Sequence, residues 1–514
     1  MATRAALPQL RFFAAAAILL WASQVMAEGN LDNFSGLQEG AAPARAGPRD
    51  PWGPVPIAGV SIANVAPGLL TFFNNAPVFG LPGTVVGDFW DSTQVTGDWD
   101  GRRTELVRRG LFVDLYTTST YQNVTSGGIK TGDSFVQNTQ LSVNVDTTRA
   151  GLWSGGLFHF TVQSRYGSSF DDAFNAGTFV PVYTGLVHPG PMFENQTLPT
   201  EYFLVQSITK ELSVVAGKIS DVFLPDQTLF GNSYKFYFAN FNLNKNPMTT
   251  NFYNPVAWAA PLLVWAPNKN FVLAGGVLDT KSQADNFATH AFDSQNYFLT
   301  SIINYSVAGL PGQFLPSYNW SNKPLIDFRM PFGTLSPSQV IPAIGALLGG
   351  PTAGLPVQLD KDSWFLIGNI SQYLYVRDDT TAIANKLKTG QPLNGIGVFA
   401  RFGYAPPETN RITRDFSVAL FEHGLASSRP YDSFGVGYFY NNFSGDLKQS
   451  LSELSLGSVK LRNESGLEVF YDFAVTPAIR LIPSYQHIWE PFFAETQTQR
   501  QSADIFLARL TVVW

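Results

Sequence analysis

The stretch Asp504–Trp514, DIFLARLTVVW, restricts what this chain can fold into more than any other. Read backwards in steps of two, Trp514, Val512, Leu510, Ala508 and Phe506 make an unbroken apolar face. The other phase, Val513, Thr511, Arg509, Leu507 and Ile505, is mixed and carries one charge. Period-two alternation over about ten residues matches a tilted strand crossing the hydrocarbon layer of a bilayer. Ending on an aromatic residue, the stretch reads as the closing strand of an outer-membrane β-barrel. A half-buried strand of a soluble sheet has the same local pattern, so the rest of the chain must decide.

The N-terminus points to export. Arg4 and Arg11 precede the apolar run Phe12–Ala22, and Val25-Met26-Ala27 offers a small-residue cleavage site before Glu28. This is the layout of a secretory signal peptide over residues 1–27, cleaved near Ala27 after passage through the Sec pathway. A membrane-spanning helix needs about twenty apolar residues. No later segment reaches that length without Pro, Gly or charge; Ile341–Leu348 comes nearest, with Pro342 and Gly345 inside it. Any bilayer crossing must therefore use strands.

Composition agrees. Charged residues make up 14% of the chain, against about 25% in ordinary globular domains. Their place is taken by Gly, Asn, Ser, Thr and aromatics, which suits strands with one greasy and one uncharged polar face. There is no cysteine and there are five histidines, so no disulfide framework, thiolate site or His-rich metal site is expected, and no cofactor. Removing residues 1–27 leaves the chain two charges more negative than its formal −6. With no long Lys/Arg run, nucleic acid is not an expected partner.

Residues 28–87 are rich in Pro, Gly, Ala and Asn and show no period, which reads as a periplasmic lead-in. Residues 88–110 form a second segment: Asp98 or Asp100 can cap a short helix that Gly110 ends. From 111 to 514 the chain reads as an all-β transmembrane antiparallel barrel, with no convincing helix. Candidate strands are 111–121, 135–146, 154–166, 200–208, 212–219, 256–265, 270–279, 297–306 and 325–330. The remaining candidates are 363–375, 394–404, 413–422, 433–441, 465–474, 478–488 and 504–514. That is about sixteen, and their connections alternate between tight turns and long loops such as 167–199, 220–255 and 331–362. Of these loops, 331–362 and 167–199 are the first candidates to fold inward.

The strand phases orient the side chains. In 394–404, Ile396, Val398, Ala400, Phe402 and Tyr404 oppose Phe399 and Arg401. In 467–473, Leu467, Val469, Tyr471 and Phe473 oppose Glu468, Phe470 and Asp472. An Arg facing lipid at mid-bilayer costs roughly 2–4 kcal/mol, so Arg165, Arg401 and Arg509, each opposite an apolar stripe, point into the lumen. A barrel of this size cannot fill its interior with strand side chains alone and leaves an aqueous channel. The expected protein is a pore.

Four sequence blocks resemble the carbohydrate-selective porins of the outer membrane, the OprB-like family. They are Val95-Thr96-Gly97-Asp98-Trp99-Asp100-Gly101-Arg102-Arg103-Thr104-Glu105-Leu106; Gly217-Lys218-Ile219 with Asp221 and Phe223; Gly397–Tyr404 with Arg429-Pro430-Tyr431-Asp432; and Glu464–Asp472 running on to Pro483-Ser484-Tyr485-Gln486. Asp100 stands where the family commonly has Gly. The resemblance covers about residues 88–514. It implies passive, carbohydrate-selective diffusion of mono- and oligosaccharides into the periplasm of a Gram-negative bacterium, through a channel narrowed by a periplasmic helix and inward loops. Related barrels occur alone and as trimers, so monomer and homotrimer both stand.

A pore for a neutral sugar must offer hydroxyl partners and apolar ring contacts weak enough to release. Arg165, Arg401, Arg480 and Arg509, with Glu468 and Asp472, are the candidate lumen charges. Gln163 and Gln486 are the neutral polar candidates, and Phe399 and Phe470 the aromatic ones. Inward Arg and carboxylate pairs can equally pair along the wall and only stiffen it. Trp99, Trp514, Tyr404, Tyr440 and Trp489 read as interface anchors. The rival readings are a general or anion-preferring porin, a barrel enzyme, and a secreted β-rich binding protein. None of His159, His188, His290, His423 or His487 sits in a recognisable hydrolase context.

Overall fold

The computed structural model describes residues 85 and 87–514, apart from 168–174, 188–194, 221–227, 230–232, 252–255, 269, 288–290, 330–334, 349–351, 353, 361, 390–391, 458–460 and 494–501. The signal peptide 1–27, almost all of the lead-in 28–87, His188, His290, Asp221 and Phe223 lie outside the described residues.

Strands of alternating polarity have one stable arrangement in lipid: every backbone N–H and C=O must be paired, and an open edge leaves a row of them bare. This chain closes the row. Strands β1 (Leu111–Gly127), β2 (Gly132–Asp146), β3 (Gly156–Gly167), β4 (Gln196–Ser207), β5 (Leu212–Ile219), β6 (Ala257–Asn268), β7 (Phe271–Asp279), β8 (Gln295–Val307) and β9 (Leu310–Ser321) pair in chain order. A two-residue ribbon, β10 (Leu325–Ile326) with β11 (Leu359–Asp360), interrupts the sequence. The barrel resumes with β12 (Ser363–Val376), β13 (Gly395–Tyr404), β14 (Ile412–His423), β15 (Ser433–Phe443), β16 (Glu464–Thr476), β17 (Ile479–Trp489) and β18 (Ala503–Val513). Antiparallel pairing of β18 with β1, Thr120 opposite Arg509 and Tyr116 opposite Val513, makes a closed barrel of sixteen strands.

Two expectations change. The 325–330 candidate is not a barrel strand; Leu325–Ile326 pairs only with Leu359–Asp360. The barrel strand at that point is Leu310–Ser321, hidden in the sequence by Pro311, Gly312 and Pro316, since Pro donates nothing to a ladder. Nor is the region after Leu111 free of helices. Pro337–Leu347 starts at a capping box between Ser336 and Gln339, Gly445–Leu454 is capped by Ser444 accepting from the Leu447 N–H, and Thr380–Thr389 forms a third helix. All three are short helices in connections between strands, and the first and second bury Leu347 and Leu447 in one cluster.

One end of the barrel carries the tight connections 208–211, 308–309 and 477–478, together with both the helix Arg102–Arg108 and Trp514. The opposite end carries 168–195, 220–256 and 322–362. Phases follow the sequence: along β18, Phe506, Leu510 and Trp514 are exposed and Ile505, Leu507 and Arg509 buried.

The first sequence block is a latch on the closing strand. The Asp98 carboxylate accepts from the Thr104 N–H at 2.7 Å and from the Thr104 hydroxyl at 2.8 Å. Arg103 donates to the Gly97 carbonyl at 2.9 Å and to an oxygen of Trp514 at 3.1 Å, with its guanidinium 4.0 Å from the Trp99 ring centre. The Val95 N–H reaches the Val513 carbonyl at 2.9 Å. Gly110 joins helix to strand at φ +85°, where a Cβ would lie 2.6 Å from the Asp146 carbonyl oxygen, so only glycine turns there.

Candidate functional site

Inside the barrel the wall β13–β18 meets a segment of the chain itself. Residues 233–251, from the connection between β5 and β6, enter the lumen and are almost wholly buried. Such a segment carries backbone donors and acceptors that must be satisfied away from bulk water. The wall residues singled out from the sequence are what satisfy them.

Arg401 on β13 donates to the carbonyls of Leu243 at 2.8 Å and Asn244 at 3.1 Å, and its guanidinium lies 4.5 Å from the Phe399 ring centre. Arg509 on β18 donates to the Tyr234 carbonyl at 2.6 Å, and Thr511 beside it to the Lys235 carbonyl at 2.7 Å. Glu468 on β16 accepts from the N–H groups of Ala239 and Asn240 at 2.8 and 2.9 Å. Gln486 on β17 accepts from the Asn240 side chain at 2.9 Å and donates to the Val182 carbonyl at 2.9 Å. Phe399 and Phe470 both pack edge-on to Phe238, ring centres 5.9 and 4.8 Å away.

The other candidates sit elsewhere on the wall. Arg165 on β3 donates to the Leu186 carbonyl, in the described part of the 167–199 connection, which also enters the lumen. Gln163, two residues away, leaves its Oε1 without a partner among the described residues. Arg480 and Asp472 form a two-pronged ion pair on neighbouring strands, with contacts of 2.9 and 2.6 Å, and Arg480 also donates to the Tyr431 carbonyl. This pair stiffens the wall. Of the two connections expected to fold inward, 167–199 contributes Asn175–Val187. The described part of 331–362 instead forms the helix Pro337–Leu347, which packs Ala346 and Leu347 against Leu447 and Leu451.

Reading the strands alone misses the inward segment. Its signal was present: Asn240, Asn242, Asn244 and Asn246 recur at every second position among aromatics, unlike a solvated loop. Each asparagine finds work. The Asn240 side chain accepts from the Asn242 N–H at 3.0 Å; Asn441 donates to Asn242 at 2.9 Å; Asn246 donates to Asp415 at 3.1 Å. Lys235 donates to Gln140 at 2.8 Å with the rings of Tyr116 and Tyr234 5.3 and 5.1 Å from its ammonium. Burial pushes its pKa from 10.5 down to about 8, against the opposing pull of Glu201.

The facing wall is different. Toward the 308–309 end of β7–β9 the inward side chains Val272, Ala274, Ile302, Asn304 and Gln313 are only half-buried, whereas Asn296, Phe298, Thr300, Ser317 and Asn319 further along the same face are buried; Gln313 donates to Asn304 at 3.1 Å. No charge lies among them.

A closed sixteen-stranded barrel whose interior is narrowed by its own connections is an outer-membrane channel of the porin class. The family model for "Carbohydrate-selective porin, OprB family" matches residues 130–511, and the chain belongs to that family. Among solved structures it is similar to Pseudomonas putida OprB at high pH, with 17% identity and a TM-score of 0.67 over 83% of this chain and 100% of that one. The low-pH structure of the same protein gives 15% identity and a TM-score of 0.48 over 83% and 99%. OmpT of Vibrio cholerae gives 11% and 0.41 over 79% and 98%. No curated protein matches the chain.

Proposed function

We propose that this protein is a passive outer-membrane pore through which mono- and oligosaccharides diffuse into the periplasm, and not an enzyme. The chain is exported through the Sec pathway with cleavage near Ala27, residues 28–87 lead into the periplasm, and the helix Arg102–Arg108 lies at the periplasmic mouth. The observation that carries the reading is the segment 233–251 fixed across the lumen by Arg401, Arg509, Glu468 and Gln486. A fixed constriction rich in amides and aromatic rings can replace sugar hydration without holding a charge.

In this reading the candidate wall residues act on the permeant mainly through the segment they hold. Arg401, Arg509 and Glu468 set its position, Phe399 and Phe470 seat Phe238, and Arg165 does the same for the neighbouring connection, leaving the unpaired Gln163 oxygen to face the permeant. Asp472 and Arg480 keep the wall rigid. The sugar passes on the other side of the segment, against Val272, Ala274 and Ile302 with the amides of Asn304 and Gln313, which supply an apolar face and hydrogen-bonding groups together.

Liposome swelling tests this. Glucose should enter faster than an amino acid of equal size, and a disaccharide more slowly than glucose. Equal rates for solutes of equal size would leave a general porin and no sugar selectivity to explain.

A further inference from the structure

The end of the barrel opposite the helix Arg102–Arg108 carries a charge that the lumen does not use. Tyr404 on β13 lies opposite Arg414 on β14, and Arg414 opposite Asn442 on β15. The strand β12 begins at Ser363, directly after the connection 322–362, and its Leu366 lies opposite Tyr404, which places the arginine at this end. Arg414 points outward: it is exposed, while Asp415 beside it is buried and accepts from Asn246 at 3.1 Å. At this level the outward face otherwise shows rings, with Tyr404, Tyr440 and Trp489 exposed and Trp364 5.8 Å from Tyr404. Such rings mark the boundary between lipid tails and headgroups, so the Arg414 guanidinium sits at headgroup depth.

Other cations at this end are matched by carboxylates of the chain: Arg329 by Asp327, Lys281 by Asp293 at 2.8 Å and Arg462 by Glu490 at 3.4 Å. The Arg414 side chain makes no hydrogen bond or ion pair with any described residue. A second cation is tied into the same corner. The helix Gly445–Leu454 follows β15 directly, and its Lys448 ammonium donates to the Asn463 side chain at 2.9 Å. Asn463 in turn donates to the Tyr440 hydroxyl at 2.8 Å. Tyr440 lies opposite Phe416, two residues along β14 from Arg414 and on the same outward face. The acid of this helix's first turn, Asp446, stands two positions from Lys448 and therefore on another side of the helix.

We propose that Arg414 and Lys448 form a site for a phosphate of the outer leaflet's phosphorylated glycolipid, in the orientation that places the helix Arg102–Arg108 in the periplasm. A guanidinium takes phosphate oxygens in pairs, and an ammonium adds a point charge. Lipid tails carry no charge, so the anion an outward arginine meets at this depth is a headgroup phosphate. Tyr404 and Tyr440, on the strands either side of Arg414, offer a ring surface and a hydroxyl each to the sugar that bears the phosphate.

The barrel purified in detergent is titrated with bisphosphoryl lipid A, and bound lipid is counted by native mass spectrometry. The wild type should bind it at least about tenfold more tightly than the same lipid stripped of its phosphates. Dioleoyl phosphatidylglycerol at equal concentration should not displace it. The variant Arg414→Gln/Lys448→Gln should lose the phosphate preference, with heat-modifiable gel migration and swelling rates unchanged. Arg414→Gln alone, which alters one exposed side chain, should lose most of the preference and carries the test where the double variant does not fold. Equal binding of phosphorylated and stripped lipid overturns the proposal, as does full displacement by phosphatidylglycerol, or a folded variant that keeps the preference. Swelling reads the pore separately, so either reading can fail alone.

Discussion

The two walls of the lumen solve different problems. The wall β13–β18 carries charge, and every charge singled out on it is buried against backbone of the inward segment or against another wall residue. On the wall β7–β9 the inward patch Val272, Ala274, Ile302, Asn304 and Gln313 carries none and is only half-buried, while Leu278, Asn296, Phe298, Thr300, Ser317 and Asn319 on the same face are buried. A buried charge is stable only with its hydrogen bonds made, so the first wall can hold a loop rigidly but is poorly placed to release a passing molecule. The second can be grazed and left. In the function proposed, charge fixes the constriction and neutral surface faces the traffic.

The sharpest way to break that division is to remove what the charged wall holds. Replacing Tyr234–Thr250 by a Gly/Ser linker uncovers Arg401, Arg509 and Glu468 to water. We expect disaccharide swelling rates to rise about tenfold and the sugar-to-amino-acid ratio to approach one, since a barrel of this size is otherwise a wide channel. An unchanged ratio would place selectivity elsewhere.

Loosening one tie should do less. Arg401→Ala removes two charge-assisted bonds, worth roughly 1.5–3 kcal/mol each. In the swelling assay the ratio of glucose to a size-matched amino acid should fall about threefold, more than the total rate changes. Across the lumen, Ala274→Phe tests the other wall. It should slow all solutes together by about twofold, leaving heat-modifiable migration intact; a rate equal to wild type would mean the permeant does not use β7–β9.

The smallest effect expected is that of pH. Lys235 titrates near 8 with the segment docked and near 10.5 with it free. Docking therefore gains as pH rises from about 8 through 10.5 and loses that gain as pH falls back through 8. Swelling selectivity should be slightly sharper at pH 10 than at pH 7, by less than about twofold because many other bonds hold the segment. In Lys235→Met the difference should vanish.

Much of the barrel was legible because bilayer physics writes a period of two into each strand. Fifteen of the sixteen candidate segments coincide with barrel strands, and the inward direction of Arg165, Arg401 and Arg509 follows from the neighbouring apolar stripe. The count survived only because 325–330 replaced Leu310–Ser321, whose two prolines erase the local signature while its neighbours still pair with it. What those arginines touch was not legible. Alternation gives the face a residue points to, but the partner of Arg401 is a carbonyl 158 residues away in a connection with no strand pattern. The block around Gly97–Arg103 was recognisable as a motif, yet its role as a latch depends on Trp514 at the far end of the chain.

Single channels in planar bilayers give the most direct test of sugar recognition inside this lumen. Ion current should be recorded while glucose, and separately an amino acid of the same size, is titrated in. Glucose should reduce the current saturably and the amino acid should not, with the glucose effect weakened in Arg401→Ala. A current that falls equally and without saturation for both solutes would contradict a constriction built to engage sugars.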